Sequence, residues 1–186
     1  MVDRRAVTQD FREGGTLIIQ RPFGPIEKEA PSGEACLVNL HPPGPDFIIA
    51  FLGCLFAGVT AVPVYPPDPA RLDRTMPRLL KIIADADPRA VLTTEHFLVL
   101  AQLLVSQAPE LGRYELLASD ALERQGDAFQ RPPLSGDTLA FLQYTSGSTG
   151  APRGVCLSQG NLLHNLRCIQ RGFGHSERSK AMIWLP

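Results

Sequence analysis

The chain has 186 residues, enough for one compact domain at about 150 residues per domain, and its 44% hydrophobic and 20% charged residues exclude intrinsic disorder and collagen-like repeats. Sixteen glycines and seventeen prolines divide the chain into many short elements, which argues against an all-helical bundle. Eighteen basic against nineteen acidic side chains leave a net charge of −1, so no overall field attracts nucleic acid or an anionic membrane, and any anion site must be local.

Residues 1–32 form an unassigned N-terminal segment. Arg4-Arg5 is followed by Gln9-Asp10-Phe11-Arg12-Glu13, where a signal peptide needs an apolar run, so secretion is not expected. Thr16-Leu17-Ile18-Ile19 reads as a strand and Arg21-Pro22-Phe23-Gly24-Pro25 as a turn, without a functional reading. From residue 33 onward a regular pattern begins. Ala35 to Leu40 is an apolar run of strand length, and His41-Pro42-Pro43-Gly44 turns the chain.

Residues 47–67 carry no charge over 21 positions, long enough to cross a bilayer. The internal pattern points elsewhere. Phe47, Ile48, Phe51, Leu52, Leu55 and Phe56 recur at helical spacing, Pro45 suits a first helical turn, and Gly58 is placed to end the helix. Thr60 to Tyr65 then reads as a strand stopped by Pro66-Pro67, so the segment is expected to be a buried helix and strand rather than a membrane span.

Leu79, Leu80, Ile82, Ile83 and Ala86 give the next helical face, closed by Pro88. Ala90 to Thr93 is a strand, and Phe97, Leu100, Ala101 and Leu104 mark another helix. Continuous apolar strands alternating with helices predict an α/β fold: a layered parallel sheet with helices on both faces. The signal weakens from Glu115, and Gln130 to Asp137 reads as a proline-rich connector. Beyond it lie a strand at 138–144, a glycine and hydroxyl loop to Gly154, a second strand at 155–157, and a helix face of Leu162, Leu163, Leu166 and Ile169 ending near Gly172. Ala181 to Pro186 reads as an apolar strand with nothing after it to pair with, so the domain of residues 33–186 is expected to be truncated at its C-terminus.

Cys36, Cys54, Cys156 and Cys168 contain no C-x-x-C pair and read as small core residues in a reducing compartment, which places the protein in the cytoplasm. His41, His96, His164 and His175 have no clustered partners in sequence and read as surface or satisfied core residues.

The informative segment is Thr145-Ser146-Gly147-Ser148-Thr149-Gly150-Ala151-Pro152-Arg153-Gly154. Its glycines allow successive N–H groups to face one concavity, its four hydroxyls add neutral donors, and Arg153 adds a fixed charge, the combination that phosphate oxygens require. A flexible Ser/Gly linker is the bland alternative, but linkers do not usually join two apolar strands with a proline and a cation at one end. G-x-x-x-x-G-K-[ST] is absent. The hydrolase elbow fails because Ser146 stands where its first glycine belongs, and Gly172-Phe173-Gly174-His175-Ser176-Glu177 lacks the third glycine of a dinucleotide fingerprint.

Tyr144 through Val155 resembles the phosphate loop of the adenylate-forming superfamily, which includes acyl-CoA synthetases, peptide-synthetase adenylation domains and luciferases. Three further segments resemble the fatty acyl-AMP ligase branch: Gly53 to Gly58 leading into Val62-Pro63-Val64-Tyr65-Pro66-Pro67, then Phe141-Leu142-Gln143-Tyr144, and Trp184-Leu185-Pro186. The resemblance implies an N-terminal part of the superfamily's large domain and a reaction in which a fatty acid and ATP give acyl-adenylate and pyrophosphate, with Mg²⁺ neutralising the phosphates. By the same resemblance, Thr145, Ser146, Ser148 and Thr149 would supply hydroxyls, and Gly147, Gly150 and Gly154 belong to the same nucleotide-phosphate site. Arg153 would replace the family's usual lysine, and Gln159 stands where a histidine is more common and reads as a solvent-facing helix start. In the family, Trp184-Leu185-Pro186 precedes the metal-holding acidic residue, the ribose-binding aspartate and a mobile domain with a catalytic lysine, so no complete catalytic set is expected here. The implied partners are fatty acid and ATP, with an acyl carrier protein or polyketide synthase as acceptor. An acyl-CoA ligase, an adenylation domain of a polyketide or peptide synthetase, and a non-catalytic interaction module stay open as alternatives.

Overall fold

The structure is a computed structural model that describes residues 36–99, 105, 108–121, 132–145 and 152–180. Six strands form one sheet: β1 (Cys36–Leu40), β2 (Thr60–Val64), β3 (Ala90–Thr93), β4 (Glu115–Ala118), β5 (Leu139–Thr145) and β6 (Arg153–Ser158). Their order is β4-β3-β1-β2-β5-β6. The pairs among the first five strands are parallel, and β5 with β6 is antiparallel. The expected parallel sheet is therefore present with one correction. Because a short loop joins β5 to β6, the chain turns back on itself, and the sheet ends in a hairpin where a longer crossover would have kept the strands parallel.

Three helices, α1 (Pro45–Ala57), α2 (Leu72–Ala86) and α3 (Gln159–Phe173), connect or follow the strands, and residues 95–99 are also helical. Side chains alternate across β1, and the alternation builds two cores. Leu37 packs with Ala61, Ala90 and Leu92 against Ala50, Cys54 and Ala57 of α1. Val38 and Leu40 pack with Val62 and Val91 against Met76, Leu79, Ile82 and Ile83 of α2. Helices thus cover both faces, as the continuous apolar strands predict.

The uncharged segment folds as a helix followed by a strand. Pro45 occupies the first turn of α1, where its missing N–H leaves no bond unmade. Gly58 ends the helix in the left-handed region at φ 69°, and Val59 donates its N–H back to the Cys54 carbonyl at 2.9 Å. Among the described residues, no helix is long and apolar enough to cross a membrane.

The observed elements differ from the expected ones at several points. Helix α2 begins at Leu72, ahead of the face that marks it, and holds Pro77 in its interior. Strand β4 lies where the periodic signal fades; its four residues pair with β3 from Ala90↔Glu115 to Thr93↔Ala118. Helix α3 ends at Phe173, next to the expected Gly172, and Gly174 is its left-handed cap. Cys54 is buried and Cys36 half-buried, but Cys156 and Cys168 are exposed, so only half of the expected core cysteines are core residues. Both exposed thiols sit on β6 and α3, at the sheet edge, where α3 also leaves Leu163, Leu166, Ile169 and Phe173 exposed. The strand and turn expected within residues 1–32, most of the helix from Phe97 to Leu104, and the strand at 181–186 lie outside the described residues.

Candidate phosphate site

Strands β5 and β6 carry the two ends of the glycine and hydroxyl loop. Their ladder runs from Leu139↔Ser158 to Thr145↔Arg153, so Thr145 and Arg153 face each other at the mouth of the hairpin. Both are exposed, as is Gly154, and all three can be reached by a ligand from solvent. Ser146, Gly147, Ser148, Thr149 and Gly150 lie outside the described residues. The structure therefore brings together three of the eight expected phosphate-site residues and describes the stems that hold the other five.

The stems are held from within the fold. Tyr144, one residue before Thr145, is buried in the α2 core. Its hydroxyl donates to Asp85 Oδ2 at 2.6 Å, and burial first and this carboxylate second push its pKa above the ordinary tyrosine value, so it remains a donor. Across the ladder, Tyr144 pairs with Gly154, and a Cβ at Gly154 would lie 3.1 Å from the ring's Cζ. A side chain there would press on a ring that is fixed at its far end.

Beyond β6, Ser158 and Asn161 form a capping box at the start of α3, with the Asn161 N–H donating to Ser158 Oγ at 3.2 Å and the Ser158 N–H donating to Asn161 Oδ1 at 3.0 Å. Gln159 is half-buried, and its Nε2 donates to the Leu55 carbonyl of α1 at 3.2 Å. This corrects the reading of Gln159 as a solvent-facing residue: it joins the first turn of α3 to the last turn of α1, a contact across 104 residues of sequence. Gly160 adds a second tie, its N–H donating to the Gly136 carbonyl at 2.8 Å.

A cavity of about 900 Å³ opens beside these stems, lined by Phe47 and Phe51 of α1, Arg74 and Arg78 of α2, and Phe141, Gln143 and Tyr144 of β5. Phe141 meets Phe51 edge to face at 5.4 Å, giving the cavity a firm aromatic wall. Pro63 lines it too. Lacking an N–H, this residue of β2 cannot donate to a ladder, which suits a strand end that faces open space.

His41 borders the same cavity and is buried, a core residue of which one ring nitrogen has a partner and the other has none, so the expected surface or satisfied-core role holds only for its burial. Ser119 Oγ lies 2.8 Å from His41 Nε2, with the donor set by the imidazole tautomer, and 3.1 Å from the Thr93 carbonyl, to which its hydroxyl can donate. Nδ1 has no partner. Burial lowers the His41 pKa to about 4 against a smaller opposing pull from Asp120 and the Thr93 backbone, leaving the ring neutral at pH 7. Sequence reasoning had no means of finding the His41–Ser119 contact, which spans 78 residues.

Among the described residues, no group of three or more histidine, cysteine, aspartate or glutamate side chains could hold a metal ion.

The family profile described as AMP-binding enzyme matches residues 34–186. The chain belongs to this AMP-binding enzyme family. A curated relative, the medium-chain-fatty-acid–[acyl-carrier-protein] ligase JamA of Moorena producens, is 40% identical over 163 residues, covering 87% of this chain and 27% of the relative. The long-chain-fatty-acid–AMP ligase FadD32 of Mycobacterium marinum is 31% identical over 149 residues, covering 79% of this chain and 23% of that protein. The crystal structure of a fatty acyl-adenylate ligase from L. pneumophila, solved with acyl adenylate and pyrophosphate, superposes with a TM-score of 0.68 at 32% identity, over 88% of this chain and 26% of that one. The chain thus spans about a quarter of the length of the relatives it matches.

Proposed function

We propose that residues 33–186 form the N-terminal part of an adenylation domain that activates a fatty acid with ATP. A carboxylate oxygen attacks the α-phosphorus, the bond to the bridging oxygen breaks, and pyrophosphate leaves with the charge that develops on it. The observation that carries the reading is the closed mouth of the hairpin. Thr145 and Arg153 stand opposite each other at the ends of a loop whose remaining residues supply hydroxyls and backbone N–H groups. Arg153 holds the leaving group's charge, and its planar fork permits two parallel hydrogen bonds where lysine offers a point charge.

The names of JamA and FadD32 support a fatty acid as the substrate, and JamA's supports an acyl carrier protein as acceptor. Mg²⁺ as the counter-ion of the nucleotide is part of the proposal, but the described residues offer it no ligand set, and no step above is routed through it. Four free cysteines and the use of ATP suit a cytoplasmic setting.

Calorimetric titration of the chain with Mg-ATP and with inorganic pyrophosphate tests the proposal. Arg153→Ala is expected to weaken both by about 1.5 kcal/mol, or tenfold, the lower end for a charge-assisted bond because Arg153 is exposed to solvent. Arg153→Lys should lose less, since it keeps the charge. Equal affinities for wild type and Arg153→Ala would remove Arg153 from the site, and no binding of either ligand to wild type would refute the reading.

A further inference from the structure

We propose that Asp85 is a positioning residue for the phosphate loop: it anchors the Tyr144 hydroxyl, and the anchored ring fixes both stems of the hairpin from below. The inference rests on the phosphate reading of the loop and adds the device that holds its two stems.

Asp85 sits in the last turn of α2, which contains no basic residue and is followed by Asp87. A carboxylate there faces the negative end of the helix dipole, so local helix energetics do not explain its presence. Its partner lies on another element: the Tyr144 hydroxyl donates to Oδ2 at 2.6 Å across 59 residues of sequence. The short distance is that of an O–H to carboxylate bond, the stronger class of hydrogen bond.

The consequence runs to both strands. Tyr144 directly precedes Thr145, so fixing its ring fixes where β5 releases the loop. The same ring lies under Gly154, whose hypothetical Cβ would be 3.1 to 3.4 Å from Cζ, Oη and Cε1, so the backbone of β6 rests on the ring with no room for a side chain. Arg153 precedes Gly154 and faces Thr145. One hydrogen bond to α2 therefore sets the spacing and tilt of both residues at the loop's mouth. The ring alone fills the core, whereas the hydroxyl adds only the anchor, so deleting the oxygen separates packing from positioning.

The test compares wild type with Tyr144→Phe, Asp85→Ala and Asp85→Asn in the full chain. Amide hydrogen exchange of residues 143–145 and 153–155, the urea midpoint, and calorimetric affinity for inorganic pyrophosphate and Mg-ATP are measured for each. Tyr144→Phe and Asp85→Ala are expected to speed exchange at the stems more than elsewhere in the sheet, to weaken pyrophosphate binding three- to tenfold, and to lower the urea midpoint, more in Asp85→Ala, which leaves the buried hydroxyl unpaired. Asp85→Asn, which keeps an acceptor oxygen, should recover part of the loss. Unchanged exchange at the stems in Tyr144→Phe overturns the anchor, whatever the ligand does. Faster exchange with unchanged affinity overturns its positioning role. Failure of wild type to bind either ligand overturns the phosphate reading and the positioning role with it, while the exchange comparison still decides whether the anchor exists.

Discussion

Gly160 and Gly172 stand in the same helix, and replacing each by alanine is expected to move stability in opposite directions. Helix propensity favours both changes, by at most about 1 kcal/mol for an interior position and less near either end of α3. Space decides the sign. A Cβ at Gly160 would lie 2.8 Å from the Gly136 carbonyl oxygen and 3.4 Å from two further atoms of that residue's backbone, whereas a Cβ at Gly172 meets nothing within 4 Å. The obstacle at Gly160 is main chain, and it is also the acceptor of the 2.8 Å bond that ties α3 to the connector. Relieving the clash stretches that bond, which is worth about 1 kcal/mol, and adds overpacking strain of about 1–3 kcal/mol. The net expectation for Gly160→Ala is a loss of about 1–3 kcal/mol; for Gly172→Ala it is a gain of about 0.5 kcal/mol. Urea unfolding followed by circular dichroism, with m compared to show that the unfolded reference is unchanged, measures both. For a chain of this size each kcal/mol corresponds to roughly 2–4 °C in the melting temperature. Equal signs for the two variants, or a Gly160→Ala variant as stable as wild type, would show that the connector does not rest on α3 as described.

Two further expectations follow from buried titratable groups. His41 has its pKa lowered to about 4, below the ordinary 6.5, so the unfolded chain binds the extra proton first as pH falls. The stability due to its neutral form is complete above about pH 6.5 and is lost between there and about pH 4, at up to about 1.4 kcal/mol per pH unit; urea midpoints at pH 7 and pH 5 measure it, and a His41→Gln variant should show a flatter dependence. Burial raises the thiols of Cys36 and Cys54 to about 12, while Cys156 and Cys168 are exposed. An aromatic disulfide reagent at pH 8 should therefore label two thiols quickly and the other two only on unfolding; four equally fast thiols would contradict the two-core arrangement.

The parts of the fold that were legible in the sequence are those encoded by neighbouring residues. Pro45 and Gly58 bracket α1 because each acts on its own backbone angles, and the apolar spacing of Leu79, Ile82 and Ile83 is the face that α2 buries. Strand β4 escaped because Glu115-Leu116-Leu117-Ala118 is too short to show a period, and its strand character comes from the β3 ladder. The cysteines misled for a related reason: burial preference is a property of residue type, but Cys156 and Cys168 lie on elements whose outer faces are uncovered among the described residues.

The candidate site divides along the same line. The chemistry proposed for it is a reading of adjacency, because phosphate recognition needs glycine, hydroxyls and a cation close together and a loop brings them so by sequence alone. The ties that join the stems to the helices were not legible, because they connect residues far apart in sequence: Tyr144 to Asp85, Gln159 to Leu55, Gly160 to Gly136. Gln159 shows the cost of reading position without partner. At the start of an exposed helix a polar residue has solvent as its default surroundings, yet its amide reaches the Leu55 carbonyl in the last turn of α1, as a second donor beside the Gly58 N–H. Under the proposed phosphate role, a loop that holds a highly charged leaving group gains little from donors that move independently, since each would have to be ordered on binding. Tying β5 to α2 and α3 to α1 orders the two strands and the helix that flank the loop, and on that proposal it does so through side chains that need never touch the phosphate.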